Sequence, residues 1–149
     1  MTGTGPNLLQ LLDDARRWFE KALVAAMEQA GGEQVTPPQL GLFAVLDAEG
    51  TTASELARRM GVTRQTTHQA VGALVDAGLV EQAPDPASAR RRLVRRTAEG
   101  ERAHRQAMRV LRQAEDVLAE RIGPAAATAL RAALEADWGD PPVLTPPRR

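Results

Sequence analysis

The sequence predicts a mainly α-helical fold that carries one small β-hairpin. Aromatic residues make up only 3% of the 149 residues, whereas apolar residues make up 43%. Ala, Leu and Val must therefore fill the core, which favours helices over a large sheet. Apolar residues recur at helical spacing along most of the chain. Short β-like runs occur only after Gly78, on either side of a proline-containing turn. The length predicts a single domain over residues 1–149.

The first predicted helix runs from Asn7 to about Ala30, where apolar residues recur every three or four positions. Gly31 and Gly32 end this helix. Its apolar stripe is wide for one surface helix of a small domain, so we expect part of it to face a second chain.

A second helix is predicted to begin at Thr36, with Pro37 in its first turn and Gln39 completing a capping box. Gly50 is expected to end it. Its predicted buried side consists of Leu40, Phe43, Ala44 and Leu46.

The next two predicted helices form a helix-turn-helix. Thr52 and Glu55 provide a capping box for the third helix, which ends at Gly61 and buries Leu56 and Met60. Two residues separate Gly61 from a fourth helix, and such a tight glycine turn is typical of the motif. By spacing, the inward side of the fourth helix holds Thr67, Ala70, Val71 and Leu74. Its outward side holds Arg64, Gln65, His68, Gln69 and Gly72.

The segment after Gly78 predicts a β-hairpin, with strands "LVEQA" and "RLVRRT" around the turn "PDPASARR". A hairpin directly after a helix-turn-helix describes the winged variant of that motif. Period-2 alternation places Arg91, Leu93 and Arg95 on one strand face and Arg92, Val94 and Arg96 on the other.

Two further helices are predicted before a proline-rich tail. Thr97 caps a fifth helix that extends to about Ile122, and Gly123-Pro124 separates it from a sixth helix over residues 125–138. A packing seam on the fifth helix, interrupted by Glu115, consists of His104, Met108, Leu111, Glu115, Leu118 and Ile122. The predicted inward side of the sixth helix consists of Ala127, Leu130, Leu134 and Trp138. Residues 139–149 are expected to lack fixed structure.

The charge is unevenly distributed although the formal net charge is zero. Residues 51–112 hold 12 basic and 6 acidic groups, giving +6, whereas the flanking segments 1–50 and 113–149 carry −4 and −2. Five arginines fall within residues 88–96. A central module that binds a polyanion explains this pattern. The alternative is a chance cluster of charges on a solvated surface.

Catalytic residue patterns are missing from the sequence. There is no cysteine, and the two histidines, His68 and His104, lie on different predicted helices. Glycine-rich phosphate loops, nucleophile elbows and metal-binding histidine pairs are also missing. We therefore expect no enzyme, no cofactor and no metal site. No apolar run approaches the roughly 20 residues that span a bilayer, and the first residues do not resemble a signal peptide, so we expect a cytoplasmic protein.

The outward side of the fourth helix has the chemistry of a DNA recognition helix. Arg64 can donate two hydrogen bonds from its guanidinium to guanine, and Gln65 and Gln69 can pair with adenine. Thr66 can contact a phosphate or a thymine methyl group, and His68 a base or a phosphate. The alternative to a DNA-binding protein is a winged-helix protein-interaction module without specific DNA binding.

Three stretches resemble the MarR (multiple-antibiotic-resistance regulator) family of winged helix-turn-helix repressors. They are "VTPPQLGLFAVLDAEG", "ELARRMGVTRQTTHQAVGALVDAGLVEQAPDP" and "RRLVRRTAEGE", which together cover roughly residues 35–105. The resemblance implies a homodimer that binds the two half-sites of a pseudo-palindrome in double-stranded DNA. It also implies repression that is released by a small aromatic or phenolic ligand.

The resemblance assigns parts of the chain to separate tasks. Residues 7–31 and 98–138 would be dimerisation helices, and residues 36–97 the DNA-binding lobe. The implied contacts from the recognition helix are Thr63, Arg64, Gln65, Thr66, His68 and Gln69. The implied contacts from the wing are Ser88, Arg90, Arg91, Arg92 and Arg95. Three residues are candidates for the ligand cleft: Trp18, Phe43 and His104.

The wing departs from the family pattern at one position. Most members carry Asp-x-Arg at the wing tip, where the acid steadies an arginine that enters the minor groove. Here Ser88 stands in place of the acid, and Arg90 stands in place of the arginine. We therefore predict a more mobile wing tip and a larger share of affinity from non-specific phosphate contacts.

Overall fold

A computed structural model describes residues 5–32 and 35–146 of the chain. Over these residues the fold comprises six helices and a three-stranded antiparallel sheet, which confirms the predicted fold class. In chain order the elements are α1 (Leu8–Gln29), α2 (Pro37–Val45), β1 (Thr51–Thr52), α3 (Ala53–Met60), α4 (Arg64–Asp76), β2 (Val80–Asp85), β3 (Ser88–Arg96), α5 (Ala98–Ile122) and α6 (Pro124–Glu135). The chain divides after Ala114 into two compact units. Within the described ranges, no helix is both long and apolar enough to cross a bilayer.

The first unit is built around one apolar core beneath α2, α3, α4 and the sheet. Helix α4 contributes the residues that its spacing predicted, since Thr67, Ala70, Val71 and Leu74 are all buried. The buried apolar cluster consists of Leu42, Leu46, Leu56, Ala70, Val71, Leu74, Val80 and Val94. Since these residues come from helices and strands alike, the wing is attached to the helix-turn-helix through the shared core.

Local capping fixes where the helices begin. The Asn7 side chain accepts a hydrogen bond from the Gln10 N–H at 2.9 Å, and the Gln10 side chain accepts one from the Asn7 N–H over the same distance. At α2, the Gln39 side chain accepts from the Thr36 N–H at 3.1 Å, as the predicted capping box requires. At α3, the Thr52 hydroxyl accepts from the Glu55 N–H at 3.3 Å. Each bond satisfies a backbone donor that a helix terminus leaves free.

Helix α2 is shorter than predicted, and its buried side is different. It ends at Val45, and Gly50 instead lies in the turn before β1 with φ of +110°. The prediction that Ala44 is buried was wrong, because Ala44 is exposed whereas Leu42 is fully buried. The strand β1 was not predicted. It pairs Thr51 with Val94 across more than 40 residues of sequence, and local spacing carries no signal of such a contact.

The hairpin is longer, and its turn tighter, than the sequence indicated. Strand β2 continues through Pro84 to Asp85, and β3 begins at Ser88, so that the turn consists only of residues 86 and 87. The strand order is β1-β3-β2, with β2 at one edge. Proline has no backbone N–H to donate. An edge strand accommodates Pro84 because a residue there can do without that donor in the hydrogen-bond ladder of the sheet. A register shift falls between Pro84 and Asp85.

The start of α5 lies against the turn that precedes β2. The Thr97 hydroxyl donates to the Gly78 carbonyl at 2.6 Å and accepts from the Gly100 N–H at 3.0 Å. The Thr97 N–H donates to the Leu79 carbonyl at 3.1 Å. A side chain at Gly100 would collide with that same carbonyl, since its Cβ would lie 1.9 Å from the Leu79 oxygen. The Thr-x-x-Gly sequence thus both caps α5 and permits its close approach.

The second unit contains the C-terminal part of α5 and all of α6. Arg131 on α6 forms ion pairs with Glu115 and Glu135, so the acid that interrupts the predicted seam has a basic partner. The prediction that α6 extends to Trp138 with its apolar side turned inward was wrong. The helix ends at Glu135, and Leu130, Leu134 and Trp138 are exposed by 42%, 49% and 63%. Helical spacing identifies an apolar stripe, but it does not supply a surface that covers it. Residues 139–146 form neither helix nor strand, and 147–149 lie outside the described residues.

Candidate nucleic-acid interface

The turn between α3 and α4 fixes the direction of α4. Gly61 ends α3 in the left-handed conformation with φ of +64°. Thr63 then caps α4, because its hydroxyl accepts from the Thr66 N–H at 3.1 Å. The carbonyl of Thr63 accepts from the buried Thr67 hydroxyl at 3.1 Å. The first turn of α4 is therefore held both by its cap and by the core.

The predicted recognition face of α4 points away from the core. Arg64, Gln65, His68 and Gln69 are exposed, while Thr66 is partly buried. The Thr66 and Thr63 hydroxyl oxygens lie 2.9 Å apart and bond each other. The Thr63 and Thr66 side chains, which were predicted to contact DNA, are thus already bonded to each other. The four exposed side chains extend outward from one face of α4.

The tip of the hairpin carries three arginines without an internal counter-ion. Within the described part of the chain, no ion pair involves Arg90, Arg91 or Arg92, and all three are exposed. Ser88 is paired in register with Asp85 and is partly buried. The carboxylate of Asp85 accepts from the Ala87 N–H at 2.9 Å and so closes the turn.

The base of β3 holds its two arginines against acidic residues of the same chain. Arg95 pairs with Glu81 on β2 at 2.7 Å, and both side chains are about half exposed. Arg96 is different, because only 7% of its side chain is exposed. It donates to Glu101 at 2.8 Å and to the Leu46 carbonyl at 3.1 Å. Arg95 was predicted to contact DNA. To do so it must either leave Glu81 for a phosphate or bind the phosphate and Glu81 together.

A cleft of about 650 Å³ brings the hairpin tip and the helix-turn-helix together. Five arginines and one acid line it. Its lining residues are Thr52, Ala53, Ser54, Glu55, Arg58, Arg64, His68, Gln82, Arg90, Arg91, Arg92 and Val94. Of the predicted DNA contacts, the cleft includes Arg64, His68 and the three tip arginines. It does not include Gln65 or Gln69, which extend from the exposed face of α4.

Sequence reasoning missed Arg58, which lines this cleft from α3. Arg58 and Arg59 both donate to Glu55, and these hydrogen bonds lower the pKa of the Glu55 carboxyl to about 2. The single acid of the cleft is therefore ionised and neutralised by its own neighbours near neutral pH. A basic residue in the last turn of α3 was the available signal for Arg58, and the sequence pattern alone did not distinguish it from a solvated charge.

A second, apolar cavity of about 100 Å³ lies within the first unit. The Phe43 and His104 rings meet there with centroids 6.3 Å apart. Burial, followed by the charge of Arg96, lowers the pKa of the His104 imidazole. Two of the three predicted ligand residues are thus together. Trp18 is not among the lining residues, and its ring packs edge-on against Phe19 with centroids 4.9 Å apart.

The model of the MarR family matches residues 33–91, which include α2, the helix-turn-helix and most of the hairpin. The predicted MarR-family resemblance is confirmed. No curated protein sequence matches the chain.

Solved structures with the MarR-family fold match nearly the whole chain. The transcriptional repressor CouR bound to a 23-mer DNA duplex is 25% identical with a TM-score of 0.69, covering 86% of this chain and 89% of its own. A MarR-family protein of Mycobacterium tuberculosis in complex with salicylic acid is 25% identical with a TM-score of 0.66, covering 89% of this chain and 96% of its own. A MarR-family transcriptional regulator from Rhodococcus sp. RHA1 is 23% identical with a TM-score of 0.67, covering 88% of this chain and 94% of its own.

Proposed function

We propose that this chain is a sequence-specific, double-stranded DNA-binding repressor that works as a homodimer and releases DNA when a small aromatic ligand binds. The observation that carries the proposal is the cleft with five guanidinium groups, open between the hairpin tip and the N-terminus of α4. Arg58 pairs with Glu55, whereas the other four arginines of the cleft form no ion pair within the described residues. Unpaired guanidinium groups at this density are suited to the phosphates of a duplex. The DNA-bound CouR structure supports the same use of the fold.

Base reading is assigned to α4. Arg64 reaches guanine, and Gln65 and Gln69 reach adenine, because their side chains are exposed on the face opposite the core. His68 and Thr66 contact a base or the adjoining backbone. Thr63 acts mainly as the cap that presents this face.

Backbone and minor-groove contacts are assigned to the hairpin. Arg90 enters the minor groove, Arg91 and Arg92 bind phosphates, and Arg95 joins them by sharing Glu81. Ser88 fixes the register of the tip opposite Asp85. Residues 36–97 thus form the DNA-binding lobe.

Dimerisation is assigned to the helices of residues 7–31 and 98–138, with residues 139–149 as a tail. In the first unit Leu8, Leu9 and Leu11 on α1 are exposed by 64%, 76% and 49%. In the second unit the exposed large apolar residues of the helices are Val117, Ile122, Leu130 and Leu134. A second copy of the chain would cover such surfaces, which soluble monomers rarely leave open. Two lobes would then meet half-sites about 10 base pairs apart.

The effector is assigned to the cavity that contains Phe43 and His104. The apolar lining of the cavity supports this assignment. So does the M. tuberculosis MarR-family protein of similar fold, which was solved in complex with salicylic acid. We expect a ligand there to disturb the contact between α2 and α5, and so to change how the lobe is held.

Footprinting on the DNA that flanks its own gene tests the proposal, together with the salt dependence of binding to a protected site. Each phosphate neutralised contributes about −0.9 to the slope of log affinity against log salt. We expect Arg91→Ala to reduce that slope by about one and Arg64→Ala to relax specificity at one base position. Arg102→Ala is the matched control, because Arg102 is an exposed arginine paired with Glu99 on α5, away from the cleft. Equal affinity for random duplex with a flat salt slope would instead favour the protein-interaction module.

A further inference from the structure

The C-terminal end of α2 is bound by two arginines that come from other elements. Helix α2 has no basic residue in its own last turn. Instead the Arg59 guanidinium, from α3, donates to the Val45 carbonyl at 2.8 Å. The Arg96 guanidinium, from β3, donates to the Leu46 carbonyl at 3.1 Å. Carbonyls at a helix C-terminus lack partners within the helix, and a cation beside them is favourable. Two adjacent residues at the end of α2 are thus bound to two different parts of the lobe.

Each of these arginines is itself held by carboxylates. Arg59 forms ion pairs with Asp47 and with Glu55, both at 3.0 Å. Arg96 pairs with Glu101 on α5 at 2.8 Å. Only 31% of the Arg59 side chain and 7% of the Arg96 side chain are exposed. A guanidinium that bonds several partners at once is held in one orientation. Both arginines are therefore committed to internal partners and do not serve as phosphate contacts.

The end of α2 is a fixed point within the lobe. Leu46 is buried and belongs to the shared apolar core. The next residue, Asp47, donates its N–H to the Thr51 hydroxyl at 3.0 Å. Thr51 is buried and pairs with Val94 of β3. Because core packing and sheet pairing both restrain this corner, elements that are bound to it are held relative to one another.

The two elements bound there lead to the two parts of the lobe that are assigned to DNA. Arg59 lies two residues before Gly61, whose turn leads into α4, so that holding the end of α3 also holds the recognition helix. Arg96 is the last residue of β3, the strand that carries the arginines of the hairpin tip. Reading a target requires α4 and the hairpin to fit their grooves at the same time, whereas a phosphate contact carries no sequence information. A fixed distance between α4 and the hairpin therefore favours target DNA over random DNA.

We propose that Arg59 and Arg96 are positioning residues, which together fix the distance between α4 and the hairpin through the end of α2 and thereby set the preference for target over random DNA. The inference rests on the proposed function for the role of α4 and the hairpin. The two arginine–carbonyl bonds lie in series between α3 and β3, so breaking either one releases the distance.

The first test compares affinities for two duplexes. Arg59→Met and Arg96→Met each remove a guanidinium and keep an unbranched side chain. Affinity is measured at one salt concentration for the site protected in footprinting and for random duplex. Loss of a nearby charge weakens both affinities alike, and their ratio removes that effect. We expect each substitution to lower the ratio of target to random affinity about fivefold, the factor that one net hydrogen bond contributes.

The salt slope and a control variant complete this test. The slope is expected to stay the same in both variants, because neither arginine neutralises a phosphate. Arg102→Met is the matched control, since Arg102 is an exposed arginine that pairs with Glu99 on α5, and it should leave the ratio unchanged. A ratio that neither Arg59→Met nor Arg96→Met lowers would overturn the proposal.

The variant that carries both substitutions tests whether the two arginines act through the same corner. Because the bonds lie in series, the double variant should also lower the ratio only about fivefold. Independent effects would multiply to roughly 25-fold and would contradict the shared role. Far-UV circular dichroism checks folding at the temperature of the assay. Where Arg96→Met does not fold, Arg96→Lys replaces it with the same expected result, because lysine keeps the charge but lacks the rigid fork of arginine.

Distances measured without DNA separate this proposal from the proposed function. The chain has no cysteine, so nitroxide labels can be attached after Gly72→Cys on α4 and Ala87→Cys in the hairpin turn, both exposed positions. Labelled chain is diluted with excess unlabelled chain, so that double electron–electron resonance reports distances within one chain. We expect a broader distance distribution after Arg59→Met or Arg96→Met, and equal widths would refute the positioning role. A chain with no preference for target DNA would refute the DNA-binding proposal, and the distances would still test the positioning of α4 and the hairpin.

Discussion

Replacing Gly100 with alanine tests how closely α5 must approach the segment before β2. A Cβ at this position would lie 1.9 Å from the Leu79 carbonyl oxygen and 2.9 Å from its carbon. Real Cβ atoms essentially never come within 3.0 Å of such atoms, so helix and strand must separate by roughly 1 Å. That shift also strains the bonds that Thr97 makes to the carbonyls of Gly78 and Leu79.

The expected loss of stability follows from three contributions. Overpacking of a tight contact costs about 1–3 kcal/mol, and weakening two hydrogen bonds costs about 1–2 kcal/mol in all. The higher helix propensity of alanine returns about 1 kcal/mol. The net destabilisation of Gly100→Ala is therefore about 2 kcal/mol, which lowers the melting temperature by roughly 4–8 °C for a chain of this size.

Gly72→Ala is the matched control. Gly72 is also a helical glycine, but it lies on the exposed face of α4, and nothing is within 4 Å of a Cβ built there. This substitution is expected to stabilise the chain by about 0.5–1 kcal/mol. Thermal unfolding is followed by far-UV circular dichroism at one fixed protein concentration, because dimerisation would make the melting temperature depend on concentration. A melting temperature of Gly100→Ala equal to or above that of the unmodified chain would refute the reasoning.

Three further substitutions test the electrostatic features. Arg96→Met leaves the Leu46 carbonyl without its donor, so denaturant unfolding should show a loss of about 1–3 kcal/mol; an unchanged midpoint would contradict this. The pKa of Glu55 is lowered to about 2, so its stabilisation is present above about pH 4.5 and is lost as the pH falls toward 2. Between about pH 5 and 3 the melting temperature of Glu55→Gln should therefore fall less than that of the unmodified chain. Melting temperatures that fall in parallel for the two chains would count against the ion pairs of Glu55. Ser88→Asp supplies a carboxylate near Arg90 and should change target affinity and reduce the salt slope of DNA binding; no change in either would show that the wing tip does not need an acid.

The sequence predicted most successfully those features that neighbouring residues determine. The helix-turn-helix is set by local chemistry, since Thr52 and Thr63 cap its two helices and Gly61 supplies the left-handed turn. The buried side of α4 follows from spacing alone. All of these interactions span at most five residues, so they are present in the sequence pattern itself.

Features that depend on distant partners were not predictable in the same way. Strand β1 exists because Thr51 pairs with Val94, and Arg96 is buried because Leu46 and Glu101 supply its acceptors. Pro84 indicated a turn, but its place on an edge strand removes the objection to a proline in a sheet. The apolar stripe of α6 was also only partly predictable. Helical spacing identifies its apolar residues, but not whether another surface covers them.

The five arginines of β3 divide according to which part of the strand they occupy. Val94 is part of the core, and Arg96 is bound to both α5 and the end of α2. The strand is therefore fixed from Val94 onward, and Arg91 and Arg92 lie on the part that extends past the core. Because the base is held by internal partners, the tip cations are positioned without having to pair with acids of their own chain. A run of arginines in a chain of zero net charge thus separates into residues that anchor the wing and residues that remain available to an external polyanion.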